Sequence, residues 1–534
     1  MLSNIRQPCD EAVVRSQPDA ADCGKATGRW ALTAAILGSS ITFIDGTVVN
    51  VALPALQTEL GASVAGAQWI VESYALMLAA LILVGGSLGD RLGRRRVFAA
   101  GVLLFSLSSV WCGLAPDITQ LVIARAAQGV GAALLVPGSL ALISANFSKA
   151  RRGRAIGTWS GFSAIAAGIG PVLGGWLVER FSWRWIFFIN IPPAAVVLLI
   201  VWSRVPESRD EQTTGRVDWL GAVLATVGLG GFVFGLIESN ARGLTAPPVM
   251  ASFIIGLAAL AGFALVESRH EAPIMPPGLF RSPTFAGANL LTLFLYAALG
   301  GLLFFLPFNL IRVQGYSATA AGAALTPFVL TMSLLSRWAG GLVDRYGSKL
   351  PLVVGPVIAA AGFALFAAPG AEAGSYWTSF FPAVMVMSVG MATSVAPLTT
   401  TVMGAVDEHH AGVASGINNA VSRTASLLAV AVFGVLMLNA FNKSLDESLR
   451  SSPILAEARA QIAGRSGDLI DLKIPDGLNG EAQALIRQAV RESFVAGFRL
   501  VAFVAAGLAA ASALASWLLI EGQARREYET AVIS

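Results

Sequence analysis

Apolar stretches of about twenty residues recur from residue 30 to residue 520, and few folds accept them. Coiled as a helix at 1.5 Å per residue, such a stretch crosses about 30 Å of hydrocarbon. Strands of a membrane barrel would be about ten residues long and alternate in polarity, which nothing here does. Only 13% of the residues are charged and 55% are hydrophobic. That balance excludes a disordered chain, a coiled coil and nearly all water-soluble enzymes. The reading is an all-α, polytopic membrane protein embedded in a lipid bilayer.

Fourteen spans are expected: 31–54, 66–88, 97–115, 119–146, 155–178, 183–203, 217–237, 249–267, 285–310, 319–338, 351–368, 377–402, 411–438 and 494–520. The short loops after spans 2, 4, 6, 8 and 10 hold about 15 Lys or Arg; those after the odd-numbered spans hold about 4. The positive-inside rule puts the basic loops and both termini in the cytoplasm, as expected of a plasma (bacterial inner) membrane protein. Residues 1–29 are polar and mixed in charge, unlike a signal peptide. Residues 439–493 are expected as a long outer loop with short amphipathic helices. No basic stripe suggests a nucleic-acid partner.

A repeat is visible. Gly86-Ser-Leu-Gly-Asp90-Arg91-Leu-Gly93 follows span 2, and Gly340-Gly-Leu-Val-Asp344-Arg345-Tyr-Gly347 follows span 10. Both read G-x-L-x-D-R-x-G and are expected to open cytoplasmic loops. Two six-span halves around a two-span insert explain the spacing. The expected division is a tail at 1–29, a bundle at 30–204, an insert at 205–270, a second bundle at 271–520 and a tail at 521–534. Internally repeated helical membrane proteins are most often secondary transporters, with the substrate site between the repeats. No G-x-x-x-x-G-K-[ST] loop occurs, so the chain is not by itself expected to be an ATP-driven pump.

Several motifs now carry a resemblance. They are Gly86 to Arg96, ending Gly93-Arg94-Arg95-Arg96; Ile44-Asp45-Gly46-Thr47 through Pro54; Arg125-Ala-Ala-Gln128-Gly129; Gly170-Pro171-Val-Leu-Gly174-Gly175; Trp183 through Asn190-Ile-Pro192; and Asp218-Trp219-Leu-Gly221. From about residue 30 to 520 the chain resembles the major facilitator superfamily, and specifically its fourteen-span drug:proton antiporters. Two departures stand out. Ala166 replaces the usual first glycine of the span 5 motif, and the second loop copy ends Gly347-Ser348-Lys349, losing most of its arginines.

Charges inside spans are costly and so informative. Asp45 lies about 15 Å, and Arg125 and Glu72 about 9 Å, from the outer surface at the helical rise. Gly38, Thr42 and Asp45 share one small, polar stripe. Burial opposes ionisation of a carboxyl and a nearby cation favours it, so a carboxyl moved between these settings carries protons. Asp45 is therefore the proton-coupling candidate, with a static ion pair as the alternative. A guanidinium stays charged and cannot carry the proton. The resemblance links the span 4 arginine to coupling, which makes Arg125 the partner of Asp45 or Glu72; the alternative is outward snorkelling. Arg423, about 12 Å below the outer surface, has no acid buried deep within the last six spans to neutralise it. It is expected either to bridge to Glu72 across the two halves or to act as a cavity cation.

Other features receive blander readings. Asp90, Arg91, Gly93 and Arg94, with Asp344 and Arg345, suit a cytoplasmic gate whose contacts break on opening. The small-residue face Gly157, Gly161, Ala164, Gly168, Pro171 and Gly175 suits close helix approach, with Pro171 bending the helix where the halves touch. Glu238 and Glu267 near span ends, and His409 and His410 beside Asp407 and Glu408, read as structural. No metal site, cofactor or catalytic residue is expected; Gly168, Gly170 and Gly174 lack the spacing and the strand of a dinucleotide loop. Asn442-Lys-Ser444 is a sequon of unassigned use. The resemblance implies export of lipophilic or amphipathic compounds by proton antiport, through a cavity lined by spans 1, 4, 9 and 12. Phe294, Tyr296, Met385, Met387 and Met391 would give it an adaptable wall. Small molecules and protons are the expected partners, and a periplasmic adaptor is left open. A symporter or importer, or a sensor that moves nothing, are the competing readings.

Overall fold

A computed structural model describes residues 25–147, 149–209, 218–269, 275–372, 374–407, 411–450 and 480–521. Among them there is no strand. The helices are α1 (Lys25–Leu60), α2 (Val64–Leu92), α3 (Arg94–Leu114), α4 (Ile118–Asn146), α5 (Lys149–Arg180), α6 (Ile191–Arg204), α7 (Trp219–Arg242) and α8 (Pro247–Arg269). They continue as α9 (Pro283–Phe308), α10 (Thr326–Tyr346), α11 (Lys349–Leu365), α12 (Phe381–Gly404), α13 (Ala411–Arg450) and α14 (Gly480–Leu519). Among the described residues thirteen stretches are long and apolar enough to cross a membrane, and α11, at 17 residues, is a shorter apolar helix. Together they account for the fourteen expected spans. Leu107, Leu199, Ile254 and Leu334 are all more than half exposed, a belt that suits lipid rather than water.

Helix ends follow local chemistry. Ser63 and Asp117 accept from Gly66 N and Gln120 N, satisfying free donors at the starts of α2 and α4. Gly93 and Gly347 close α2 and α10 with φ of +110° and +73°, a conformation that side chains resist. The two repeated motifs therefore end in the same way. Their first residues are not loop, as expected, but the last two turns of a helix. Span 6 is broken: a helical turn at Trp185–Phe188 precedes α6, with Pro192 in its first turn. Span 9 runs on through a π turn at Asn309–Val313. The expected loop 439–493 is also corrected. Its ends continue α13 to Arg450 and begin α14 at Gly480. Residues 451–479, like Glu408, His409 and His410 and most of both tails, lie outside the described residues.

Helices α1 to α6 pack on one another, as do α9 to α14. The halves meet where α13 packs on α2 and where α5 packs on α10 and the short helix Ala318–Ala323. Helix α7 sits against α2 and α13, and α8 covers α7. One apolar cluster runs across both halves, and at the end of the bundle carrying Leu60 it passes through Val49, Leu53, Phe304, Phe308 and Ala321. Cross-half hydrogen bonds reinforce that end. Arg312 donates to Pro54 O and Thr58 Oγ1, and Thr319 donates through its backbone and hydroxyl to Glu179. Gln68 Nε2 donates to Val430 O at 3.0 Å.

Candidate functional site

Asp45, Arg125 and Glu72 all lie in the core, but they do not form one cluster. Asp45 is 0% and Arg125 1% exposed, which excludes snorkelling. Arg125 Nη1 meets Asp45 Oδ2 at 2.6 Å. Asp45 Oδ1 accepts from Gln128 Nε2 at 2.9 Å and from Asn190 Nδ2 at 3.2 Å. Ser109 Oγ accepts from the same two amides, at 2.7 and 3.1 Å. Arg125 also donates to Gln128 Oε1 and to Ile70 O, and its guanidinium lies 4.3 Å from the Tyr74 ring centre. Helices α1, α3 and α4 and the turn before α6 thus converge on one carboxylate. A buried pair holds only when its remaining donors and acceptors are met in this way.

Gln128 and Asn190 stood in recognised motifs without a role, and Ser109 gave no signal at all. Neutral polar residues are common in spans, and their use depends on which helices touch. Gly38 belongs to the same construction: a Cβ there would meet the Phe98 ring at 2.7 Å, so its absence lets α1 approach α3.

Glu72 stands apart. It is fully buried, and neither carboxyl oxygen has a hydrogen-bond partner. It borders a cavity of about 460 Å³ between the halves, with Tyr74, Asn50, Tyr296, Phe304, Asn419 and Arg423. The expected Glu72–Arg423 salt bridge is not formed. Among the described residues Arg423 has no hydrogen-bond or ion-pair partner; its electrostatic neighbours are the phenols of Tyr74 and Tyr296. Equal depth places two residues at one height on their helices but says nothing of which way each faces. Arg423 is the cavity cation of the alternative reading.

The cavity draws on α1, α2, α4, α9 and α13. Helix α12, expected in its wall, is absent from it. Met387 and Met391 are packed in the core, and Met385 borders a separate, apolar recess with Tyr376, Trp377 and Phe381. Of the five expected wall residues only Tyr296 lines this cavity. Facing residues come from α13 because that helix packs on α2.

The span 5 motif lies where three surfaces touch. A Cβ on Gly170 or Gly174 would strike Thr47 or Val48 of α1. A Cβ on Gly175 would strike the backbone at Ala318, and one on Gly322 would overlap the Pro171 carbonyl. The motif therefore seats α5 on α1 and on the opposite half together. Gly157 and Gly161, expected on the same tight face, have open space around them.

The Gly93 loop is clasped by the segment that follows α6. Arg94 Nε donates to Asp90 Oδ1 at 2.9 Å. Glu207 accepts from Arg95 N at 3.0 Å and pairs with Arg95 and Arg96 at 3.6 and 3.5 Å. Arg94 N donates to Ser208 O. Glu207 was not anticipated; it lies 111 residues beyond Arg96 in the chain. Gly86 makes ordinary contact with Pro137, whereas Gly85 is the tight position, against the Ala133 carbonyl. In the second copy Arg345 lies over the Tyr346 ring, and the Asp344 side chain lies outside what is described. Glu238 pairs with Arg242, and Glu267 accepts from Met275 N; both ties hold helix ends.

The sequence pattern of the Major Facilitator Superfamily matches residues 35–430. The multidrug resistance protein Stp of Mycobacterium tuberculosis (strain CDC 1551 / Oshkosh) is 33% identical over 497 residues, covering 91% of each chain. The tetracenomycin C resistance and export protein of Streptomyces glaucescens is 32% identical over 487 residues, covering 91% of this chain and 90% of its own. The puromycin resistance protein pur8 of Streptomyces alboniger is 34% identical over 414 residues, covering 77% and 82%. Among solved structures, a bacterial homologue of the human lysosomal transporter Spinster superposes with a TM-score of 0.63 at 19% identity. It covers 93% of this chain and 98% of its own.

Proposed function

The chain belongs to the Major Facilitator Superfamily, and we propose that it exports lipophilic or amphipathic compounds in exchange for protons. The observation that carries this reading is the Asp45–Arg125 pair, buried behind Tyr74 at the edge of an inter-half cavity. Relatives named for multidrug resistance, tetracenomycin C export and puromycin resistance support efflux as the direction. The loop charges support a plasma membrane location with both termini inside, and on that orientation the Leu60 end faces outward. The apolar cluster and cross-half bonds at that end then close the cavity to the outside.

In this mechanism the proton binds Asp45. Protonation removes the charge that holds Arg125 and leaves the guanidinium only neutral acceptors: Gln128 Oε1, Ile70 O and the remaining carbonyl oxygen of Asp45. Tyr74 lies under Arg125 and also borders the cavity, so a change in the pair reaches the substrate site through one ring. The Gly170–Gly175 motif of α5 and the Gly322 contact form the surface on which the halves rock. No ATP site is needed, because the energy source is the proton gradient.

The test is a susceptibility screen in an efflux-deficient bacterial host, at matched protein levels. Wild type should raise the inhibitory concentration of several amphipathic compounds at least fourfold, and Asp45→Asn should not. Equal protection by the variant would assign the proton elsewhere, with Glu72 the next candidate.

A further inference from the structure

We propose that Arg423 makes the central cavity selective for amphipathic compounds that carry an anionic oxygen, a carboxylate or phenolate on an aromatic body. The inference rests on the export reading and adds a substrate class to it. Three ionisable side chains border the cavity: Glu72, Arg125 and Arg423. Arg125 is cancelled by Asp45, which it meets at 2.6 Å. Glu72 has no donor on either oxygen, and a carboxyl in that setting is far cheaper to bury neutral than ionised. Arg423 is left as an unbalanced positive charge, with no acid or acceptor engaging it among the described residues.

A cation facing a water-poor cavity gains most from a ligand that brings the missing charge. A guanidinium also presents paired donors whose geometry fits a carboxylate. The rest of the wall suits the rest of such a molecule. Phe43, Tyr74, Tyr296 and Phe304 offer aromatic faces, and about 460 Å³ is the size of an ordinary ligand pocket. A lipophilic cation would meet Arg423 unscreened, with no ionised acid in contact to receive it. The geometry thus favours acidic aromatic cargo over cationic cargo.

The test compares two probes of one shape, coumarin-3-carboxylate and coumarin-3-carboxamide. Binding to the full-length protein is read by fluorescence in nanodiscs of zwitterionic lipid. The carboxylate should bind at least about 10-fold more tightly, a difference of about 1.4 kcal/mol. Arg423→Gln should remove that preference by weakening carboxylate binding far more than carboxamide binding, and the retained carboxamide binding reports that the cavity is intact. Glu72→Gln should keep the preference, because no bond ties Glu72 to Arg423. Equal affinities in wild type, or a preference that survives Arg423→Gln or is lost in Glu72→Gln, would overturn the inference. The assay uses no gradient. A protein that binds the carboxylate but fails to protect cells would sink the export reading and leave this one standing.

Discussion

At Asp45 one carboxylate receives three donors, and its charge is matched by a single guanidinium. Removing one member of a buried pair costs about 3–5 kcal/mol, because the other is stranded; removing both costs far less. Asp45→Asn and Arg125→Gln should therefore each lower the thermal midpoint in detergent more than the double variant does. Additive losses would mean that the two side chains do not depend on each other. Arg125→Lys tests geometry rather than charge. An ammonium cannot span Asp45, Gln128 Oε1 and Ile70 O as the guanidinium does, so uphill transport should fall at least tenfold with charge retained. Wild-type transport in that variant would reduce Arg125 to a counter-charge. Asp45 and Arg125 were legible because a charge in an apolar run is conspicuous. Ser109, Gln128 and Asn190 were not, since their hydrogen bonds exist only once α3, α4 and the turn before α6 come together. The Glu72–Arg423 pairing failed for a related reason: residue spacing fixes depth, whereas packing fixes the facing direction.

At the scale of elements, α5 is the helix with the most to lose. Its Pro171 carbonyl lies against Gly322 of the opposite half, backbone to backbone, where neither side can turn away. Gly322→Ala should lower the thermal midpoint by several degrees and weaken the closed Leu60 end, raising thiol labelling of a cysteine placed at Thr319. Gly157→Ala in the same α5 should do neither, because its Cβ enters open space. Equal effects from the two would remove α5 as the contact surface between the halves. The Gly93 clasp gives a second contrast. A side chain at Gly93 would face both φ of +110° and the Glu207 carboxylate at 2.6 Å, a backbone strain of about 1–3 kcal/mol before any clash. Gly93→Ala should slow transport severely, and Glu207→Gln, which releases Arg95 and Arg96, should slow it less. Wild-type rates in both would leave the loop with only its topological role. The spans themselves were readable from apolar length. Their ends were not, because α10 and α13 continue as regular helix well past their most apolar residues.

For the whole molecule, the two facing halves frame a cavity between them with a buried charge pair beside it. The repeat was legible in two short motifs, and the structure adds that both end on a positive-φ glycine at a helix terminus. The choice of α13 over α12 for the cavity wall was not legible, because it depends on α13 packing on α2 across the halves. In the proposed exchange, substrate and protons move in opposite directions through this assembly. Purified protein reconstituted into liposomes with an internal pH dye, at equal wild-type and Asp45→Asn content, tests it directly. Adding an amphipathic substrate should drive proton movement opposite to the substrate, abolished by a protonophore and absent in Asp45→Asn. Substrate movement that is indifferent to the proton gradient, or proton movement in the same direction as the substrate, would contradict the account.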